Sequence, residues 1–591
     1  MKNIISFLML TAGLLGCLPS CVDSVLDKKP LDIISDDIVW DDPNLVDAYL
    51  ASQYANTNIF ELERSGDGEY WDNVGGILNI GLISDESGNT AWSVTNPFRY
   101  KTGGLNISGG LLEWWERPYA IIRNLNVLIE KLPESSGEPD FIASRVSEAR
   151  FLRAFNYFAM VKRYGGVPLM TKALPLDAPR EELYPTRNSE QEIYDFVISE
   201  VDAIEEALKG TTEFGRSTQG AALALKCRAA LYAGSIARFG TVQLNGLLGI
   251  PQAQASTYYQ KAYDAAKKIG ECGYALYNAD EDKAVNFRNI FLKKRNSEII
   301  FVEQHDYNQN VWRWGFFNCP KPHGYDAGMS TVPYLEMAEE FEYADGRPGT
   351  LDRNAIQQGL WSMEELWGGK EPRFFATLYT NETPWKGGYV DFHHGLIGGD
   401  GVLYEDKQQA WNGTPAWGNQ YTGENNFGTG FGVLKLLEES STENIDERSG
   451  TDCIVFRYGE VLLNLAEAAF ELDRIGEALE AVNQIRDRAG VARRTSIDRD
   501  AIRHERKVEL AYEGHRYWDV RRWRIAVSEL SKPGSALRYI LDYNTRKYKL
   551  QVLPDYDGTT TPPRFYEQNY YLPITLTRTG ANPNLVENPG Y

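Results

Sequence analysis

Two short segments hold the side chains best suited to gripping a ligand. Residues 84–101, SDESGNTAWSVTNPFRYK, supply Asp85, Trp92, Asn96, Arg99, Tyr100 and Lys101, and residues 305–318, HDYNQNVWRWGFFN, supply Tyr307, Asn308, Trp312, Trp314 and Asn318. A sugar presents apolar C–H faces and a rim of hydroxyls. Its site therefore wants flat aromatic platforms beside fork-like donors and acceptors. If the second segment is extended, Trp312 and Trp314 point to one face. Any single ring could equally fill a small core under a loop, but the set favours a carbohydrate-binding surface. Tryptophan placement agrees: seven of the 14 fall between Trp312 and Trp417, and none lies between Glu116 and Val311.

A third stretch, Ala501 to Ala526, reads AIRHERKVELAYEGHRYWDVRRWRIA. Val508, Ala511, Tyr512, His515 and Trp518 or Asp519 recur at helical spacing and predict one helix. Trp518 and Trp523 share turns with Glu509, Glu513, Arg516 and Asp519, so some charge must be buried. A buried charge needs a partner, which predicts inter-helix ion pairs. A carboxylate–histidine site built from Glu509, Glu513 and His515 is the functional alternative; a network that fixes helix packing is the preferred reading.

Catalytic signatures are missing: there is no HExxH, GxSxG or P-loop. Asp555 opens DYDG like a calcium loop, but no Glu follows at the required distance. Neither a catalytic residue, a cofactor nor a metal is assigned. Paired carboxylates for glycoside hydrolysis depend on a three-dimensional separation that sequence leaves open.

With 591 residues, 43% hydrophobic and 24% charged, the chain can bury a large core. A net charge of -21 argues against nucleic acid or anionic lipid surfaces as partners. Lys2 and the apolar run from Ile4 to Leu15 form a signal-peptide core too short to span a bilayer. Cys17 and Cys21 both follow lipobox-like residues, and Cys21 is preferred as the acylated start of the mature chain. Residues 1–20 are then a lipoprotein signal peptide and 21–36 a lipidated tether. Cys227, Cys272, Cys319 and Cys453 show no metal spacing; a disulfide among them cannot be paired from sequence.

Helical patterns run over Leu111 to Leu132, through SEARFLRAFNYFAMVKRY to a stop at Gly165, over Glu190 to Leu208, Thr218 to Arg238 and Tyr258 to Gly270. Phe456 to Gly490 reads as two helices about a turn near Gly476, and another helix follows a cap at Ser35 or Asp36. The pairs resemble tetratricopeptide units without a clean thirty-four-residue period. Residues 62 to 110 read as a long loop. SEIIFVEQ, Ser297 to Gln304, is a strand; 305 to 450 reads as loops with brief elements, and the Asn-Pro and Pro-Gly turns at the end predict a closing loop.

Four segments resemble signatures of the SusD/RagB family of outer-membrane nutrient-binding lipoproteins: CVDSVLDKKP from Cys21, EARFLRAFNYFAMVKRYGGVPL from Glu148, ERKVELAYEGHRYWDVRRW from Glu505, and YYLPITLTRTGANPNLVENPGY at the end. The resemblance implies a mainly α SusD-like fold of stacked tetratricopeptide-like helix pairs with a loop-rich region containing short strands. It implies a single body over 37–591, with scaffold about 37–300 and 452–591 and a loop-rich ligand-binding region about 301–451. It further implies a non-catalytic, surface-exposed lipoprotein that captures a glycan for a SusC-like TonB-dependent transporter, anchored to the outer membrane by lipid at Cys21. Such proteins bind ligand through loops in comparable places, which supports Asp85, Trp92, Asn96, Arg99, Tyr100, Tyr307, Trp312 and Trp314 as contacts. Oligopeptide capture of the RagB kind is the alternative, and a glycoside hydrolase on a helical scaffold is a more distant one.

Overall fold

A computed structural model describes residues 39–57, 80–89, 101–103, 112–175, 177–310, 312, 314–320, 328–405, 416–417, 428–439, 449–556 and 562–591. The main helices are α1 (Pro43–Asn56), α2 (Glu116–Lys131), α3 (Pro139–Tyr164), α4 (Glu190–Ile204), α5 (Gln219–Phe239), α6 (Ala255–Glu271), α7 (Lys283–Leu292), α8 (Tyr458–Glu471), α9 (Ile475–Ala489), α10 (Arg499–Glu509) and α11 (Arg516–Arg522). The fold is mainly α, as the stripes predict.

Local chemistry sets the helix ends. Ser189 Oγ accepts the Glu192 N–H while the Glu192 carboxylate accepts the Ser189 N–H, a capping box that starts α4. Thr218 caps α5, and Gly165 at φ 72 ends α3 where an L side chain would be strained. The turn between α8 and α9 lies at Leu472 to Arg474 rather than at Gly476, which sits inside α9. The cap foreseen at Ser35 or Asp36 lies outside the described residues; Asp42 caps α1.

Neighbours in sequence are neighbours in space: α2 lies on α3, α3 on α4, α4 on α5, α5 on α6 and α8 on α9, while α6 also meets α8 across the gap in the chain. Small residues permit the close approach in this stack. A side chain on Gly234 of α5 would stand 3.0 Å from the Tyr259 ring of α6. One apolar core, from Trp40 to Leu585, fills the helical layers.

A second core occupies the loop-rich half and borrows from α7, α10 and the C-terminal region. Its strands are short. We number those used below β1 (Ser87–Asn89), β2 (Ile299–Glu303), β3 (Thr331–Pro333), β4 (Leu360–Trp361), β5 (His393–Ile397), β6 (Leu403–Tyr404), β7 (Cys453–Arg457), β8 (Ala536–Asp542) and β9 (Tyr548–Leu553). A five-stranded sheet has the order β4-β9-β8-β5-β6, so the β8–β9 hairpin from the C-terminal scaffold completes a sheet begun in the loop-rich half. β2 pairs antiparallel with β7 between the two cores: Phe301 and Phe456 join the helical core, Val302 and Cys453 the second. The four described cysteines are free thiols.

The stretch Ala501 to Ala526 is not one helix. α10 ends at Glu509, Tyr512 takes φ 60 and Gly514 φ 78, and α11 restarts the chain at Arg516. The buried Lys435 amine accounts for the break, because it donates to the Glu509 carbonyl at 3.1 Å, the Ala511 carbonyl at 2.9 Å and the Glu513 carboxylate at 2.6 Å. Three strong hydrogen bonds replace the helical ones forgone.

The predicted ion pairs are present as one connected network. Arg457 reaches Glu298 at 2.7 Å, Glu509 at 2.8 Å and Glu513 at 2.6 Å; Arg373 reaches Glu371 at 2.7 Å, Glu505 at 2.8 Å and Glu509 at 3.0 Å; Arg486 joins Glu505 to Glu342. Burial would raise Glu509, but Arg488, Arg457 and Arg373 outweigh it and hold the carboxyl far below its usual range. The network seams the helical half to the loop-rich half. His515 is half-buried, and its desolvation, with Arg228 and Arg506 nearby, lowers it well below the usual imidazole range and keeps it neutral at physiological pH.

Candidate ligand-binding site

The sequence-predicted contacts divide into three groups. Trp92, Asn96, Arg99 and Tyr100, like Cys21, lie outside the described residues. Asp85, Lys101, Tyr307, Trp312 and Trp314 are described.

Trp312 and Trp314 do not serve as exposed platforms. They are 2% and 1% exposed, and both belong to the second core. The His305 ring stacks on Trp312 at 5.5 Å and 15°, Trp312 lies 6.1 Å and 25° from Trp314, and the Trp314 indole donates to the Lys435 carbonyl at 3.1 Å. The segment is not a strand either, since a short helix begins at Trp314. Wide rings are needed here because short strands and turns provide no continuous apolar stripe; Trp367 and Trp385 are buried in the same core.

Asp85 is likewise engaged. It accepts from Lys507 at 3.0 Å and from both Arg516 Nε and Nη2 at 2.8 Å. Burial would raise it, yet Arg516 and Lys507 hold it well below the carboxylate range. Its neighbour Glu86 has no cation bonded to it among the described residues: burial and the Asp85 charge push it up to about 7, against the Tyr512 N–H and Ser84 hydroxyl it accepts. The Lys101 amine bonds the Ser87 carbonyl at 2.8 Å and the Tyr334 hydroxyl. Asp85 and Lys101 thus brace the segment that carries Trp92 to Tyr100.

Tyr307 is half-buried, with its hydroxyl donating to Glu438 at 2.5 Å. Its ring lies so close over Gly450 that a Cβ there would stand 2.8 Å away. Asn308, Gln309 and Asn310 beside it are exposed.

These residues belong to a continuous ribbon. β1 pairs with β3, Ser330 N–H bonds the Phe317 carbonyl at 2.8 Å, the Thr429 hydroxyl bonds the Pro333 carbonyl, and Trp312 N–H bonds the Ser449 carbonyl at 3.2 Å. The ribbon therefore collects chain flanking residues 90–100, 321–327, 418–427 and 440–448. Composition singles out residues 90–100 in the sequence, but no sequence signal marks the pairing that joins the chain flanking them to β3.

Glu439, next to Glu438, lines a cavity of about 560 Å3 with Arg288, Trp367, Phe375, Asn381, Glu382 and Thr383. Phe375 is 41% exposed, and Arg288 bonds Glu439 at 3.1 Å. An open ring beside a guanidinium–carboxylate pair matches the platform-and-fork chemistry sought in the sequence. No sequence pattern marked Phe375, because nothing in PRFFAT separates it from Phe374, which is core. Among the described residues, no cluster of His, Cys, Asp and Glu could hold a metal ion, and no helix is long and apolar enough to cross a membrane.

Comparison with known proteins adds to this geometry. The SusD family model matches residues 297–591, and a family described as starch-binding, associating with the outer membrane, matches residues 82–231. A SusD-like protein of Formosa agariphila is 26% identical over 547 residues, covering 89% of this chain and 92% of that protein. The crystal structure of a SusD-like protein from Bacteroides fragilis superposes with a TM-score of 0.73 at 26% identity, covering 95% of this chain and 100% of that one. A SusD-like carbohydrate-binding protein, also from Bacteroides fragilis, gives a TM-score of 0.69 at 22% identity, covering 93% and 100%.

Proposed function

This chain belongs to the SusD family, and on that footing we propose that it is a non-catalytic glycan-binding lipoprotein of the outer membrane that captures an oligo- or polysaccharide and delivers it to a SusC-like TonB-dependent transporter. The observation that carries the reading is the pairing of β1 with β3, with Thr429 bonded to Pro333, which ties down the described chain that leads into the segment holding Trp92, Asn96, Arg99 and Tyr100. Asp85 and Lys101 act as braces, leaving those four residues and Tyr307 as the contacts. Acylation at Cys21 keeps the body beside the barrel and raises the local concentration of captured ligand.

A binding screen against plant, host and microbial glycans, with peptide mixtures alongside and every positive checked for hydrolysis, tests the function. Binding of one glycan without products is the expected result. Trp92→Ala then weakens it by about 1–3 kcal/mol with an unchanged melting temperature. Binding of peptides alone would establish the RagB-like alternative, and released sugar would make the protein a hydrolase.

A further inference from the structure

A further groove lies in the helical half, lined by none of the residues of β1 or β3. The exposed stripe of α2, the extended chain from Pro168 to Pro175, and the C-terminal helix Leu576–Ala581 enclose a groove of about 800 Å3. That volume suits a ligand of several sugar rings. Tyr119 and Tyr184 present partly exposed rings to it, with Leu183 at 43% exposure on the lip. The Tyr119 hydroxyl donates to the Pro168 carbonyl at 2.9 Å, which fixes that ring as a rigid face.

The charges are unusual for a chain of net charge -21. Arg123 and Lys172 line the groove, both exposed, and among the described residues neither takes part in an ion pair. Glu116, among the lining residues, pairs with Arg578 at 2.8 Å, a guanidinium it shares with Glu113 at 3.2 Å. Two cations without an ion-pair partner among the described residues therefore face the same space as the tyrosine rings, and a ligand group that matches them is anionic.

A peptide would bind such a groove through backbone pairing, and four carbonyls of the walls are already engaged. The Pro168 carbonyl is taken by Tyr119, that of Met170 by Asn126 and Tyr157, that of Tyr184 by Asn584 and that of Pro185 by Asn582. Recognition is left to side-chain rings and cations. We infer that this groove binds an acidic glycan, an oligosaccharide whose carboxylate or sulfate groups meet Arg123 and Lys172 while its sugar faces stack on Tyr119 and Tyr184.

Calorimetric titration of the whole protein with three oligosaccharides of equal length tests this: an oligogalacturonate, a sulfated galactan fragment and a neutral galactan fragment, with an oligoglutamate peptide as the fourth probe. At least one acidic oligosaccharide binds, and raising salt weakens it. Arg123→Ala with Lys172→Ala weakens it by about tenfold or more, as expected for two partly exposed charge contacts. Lys172→Arg retains binding, Tyr184→Ala loses it, and the melting temperature is unchanged in all three. Which acidic probe binds decides between carboxylate and sulfate. Trp92→Ala leaves this binding intact, so failure of the loop site and failure of the groove read out separately. Binding of neither acidic oligosaccharide, equal binding of the neutral one, indifference to the double substitution, or equal binding of oligoglutamate would each overturn the inference.

Discussion

Replacing Arg457 by Ala probes the seam between the two halves. Arg457 is 2% exposed in its side chain and makes five contacts: Nε to Glu513 at 2.6 Å, Nη1 to Glu298 at 2.7 Å and Glu509 at 2.8 Å, Nη2 to Glu513 at 2.7 Å and to the Glu509 carbonyl at 3.0 Å. Breaking a buried pair by removing one partner costs about 3–5 kcal/mol, because the other charge is left uncompensated. Here each carboxylate keeps another cation: Glu298 keeps Arg488, Glu509 keeps Arg488 and Arg373, and Glu513 keeps Lys435. The loss therefore falls at the lower end, about 3 kcal/mol. At about 2 cal/mol/K of unfolding entropy per residue, roughly 500 cooperating residues turn this into a fall of about 3 °C in melting temperature. Scanning calorimetry reads it directly. Arg457→Lys keeps the charge but not the fork, and should lose roughly half as much. A melting temperature within about 1 °C of the parent for Arg457→Ala would refute the claim that the network holds the halves together.

Trp312→Ala should cost about 3–5 kcal/mol of stability, seen as a lowered melting temperature, since it empties the middle of a buried stack; an unchanged melt with lost glycan binding would return Trp312 to the ligand surface. A Cβ on Gly166 would meet the Asn188 carbonyl oxygen at 2.1 Å and that of Leu247 at 3.0 Å, so Gly166→Ala should destabilise by about 3 kcal/mol or more, measured by thermal unfolding. Glu86, raised to about 7, stabilises the fold relative to the unfolded chain below the unfolded carboxylate value, and that contribution is lost as pH rises through 7. Glu86→Gln should therefore raise the melting temperature more at pH 8 than at pH 5, and a pH-independent difference would contradict the assignment. Glu467, which burial would raise but Arg522 holds down to about 2, works the other way: its contribution is full above the unfolded value and fades as pH falls toward 2, so Glu467→Gln should destabilise strongly at pH 7 and little at pH 3 in parallel melts.

The helical half was legible because its signals are local. The stripe Phe151, Ala154, Phe155, Phe158, the stop at Gly165 and the Thr218 cap each act over one turn, and the structure places helices where they fall. The need for ion pairs around Glu509 and Glu513 was equally legible, since charge threaded among tryptophans must be partnered wherever the partners come from. Their identity was not: Glu298, Arg373 and Lys435 arrive from 74 to more than 200 positions away. For the same reason the sequence continued one helix through Tyr512, where a distant lysine amine captures two backbone carbonyls and ends it. Composition alone marked the tryptophan-rich segments, and it could not say which way a ring faces. An indole that suits a sugar face suits a core equally well, and only the stacking of His305, Trp312 and Trp314 within the second core decided between them. The sequence by itself determined the helical scaffold and its family. Tertiary structure decided which aromatic and charged side chains remain free to meet a ligand, because that depends on neighbours the chain brings from elsewhere.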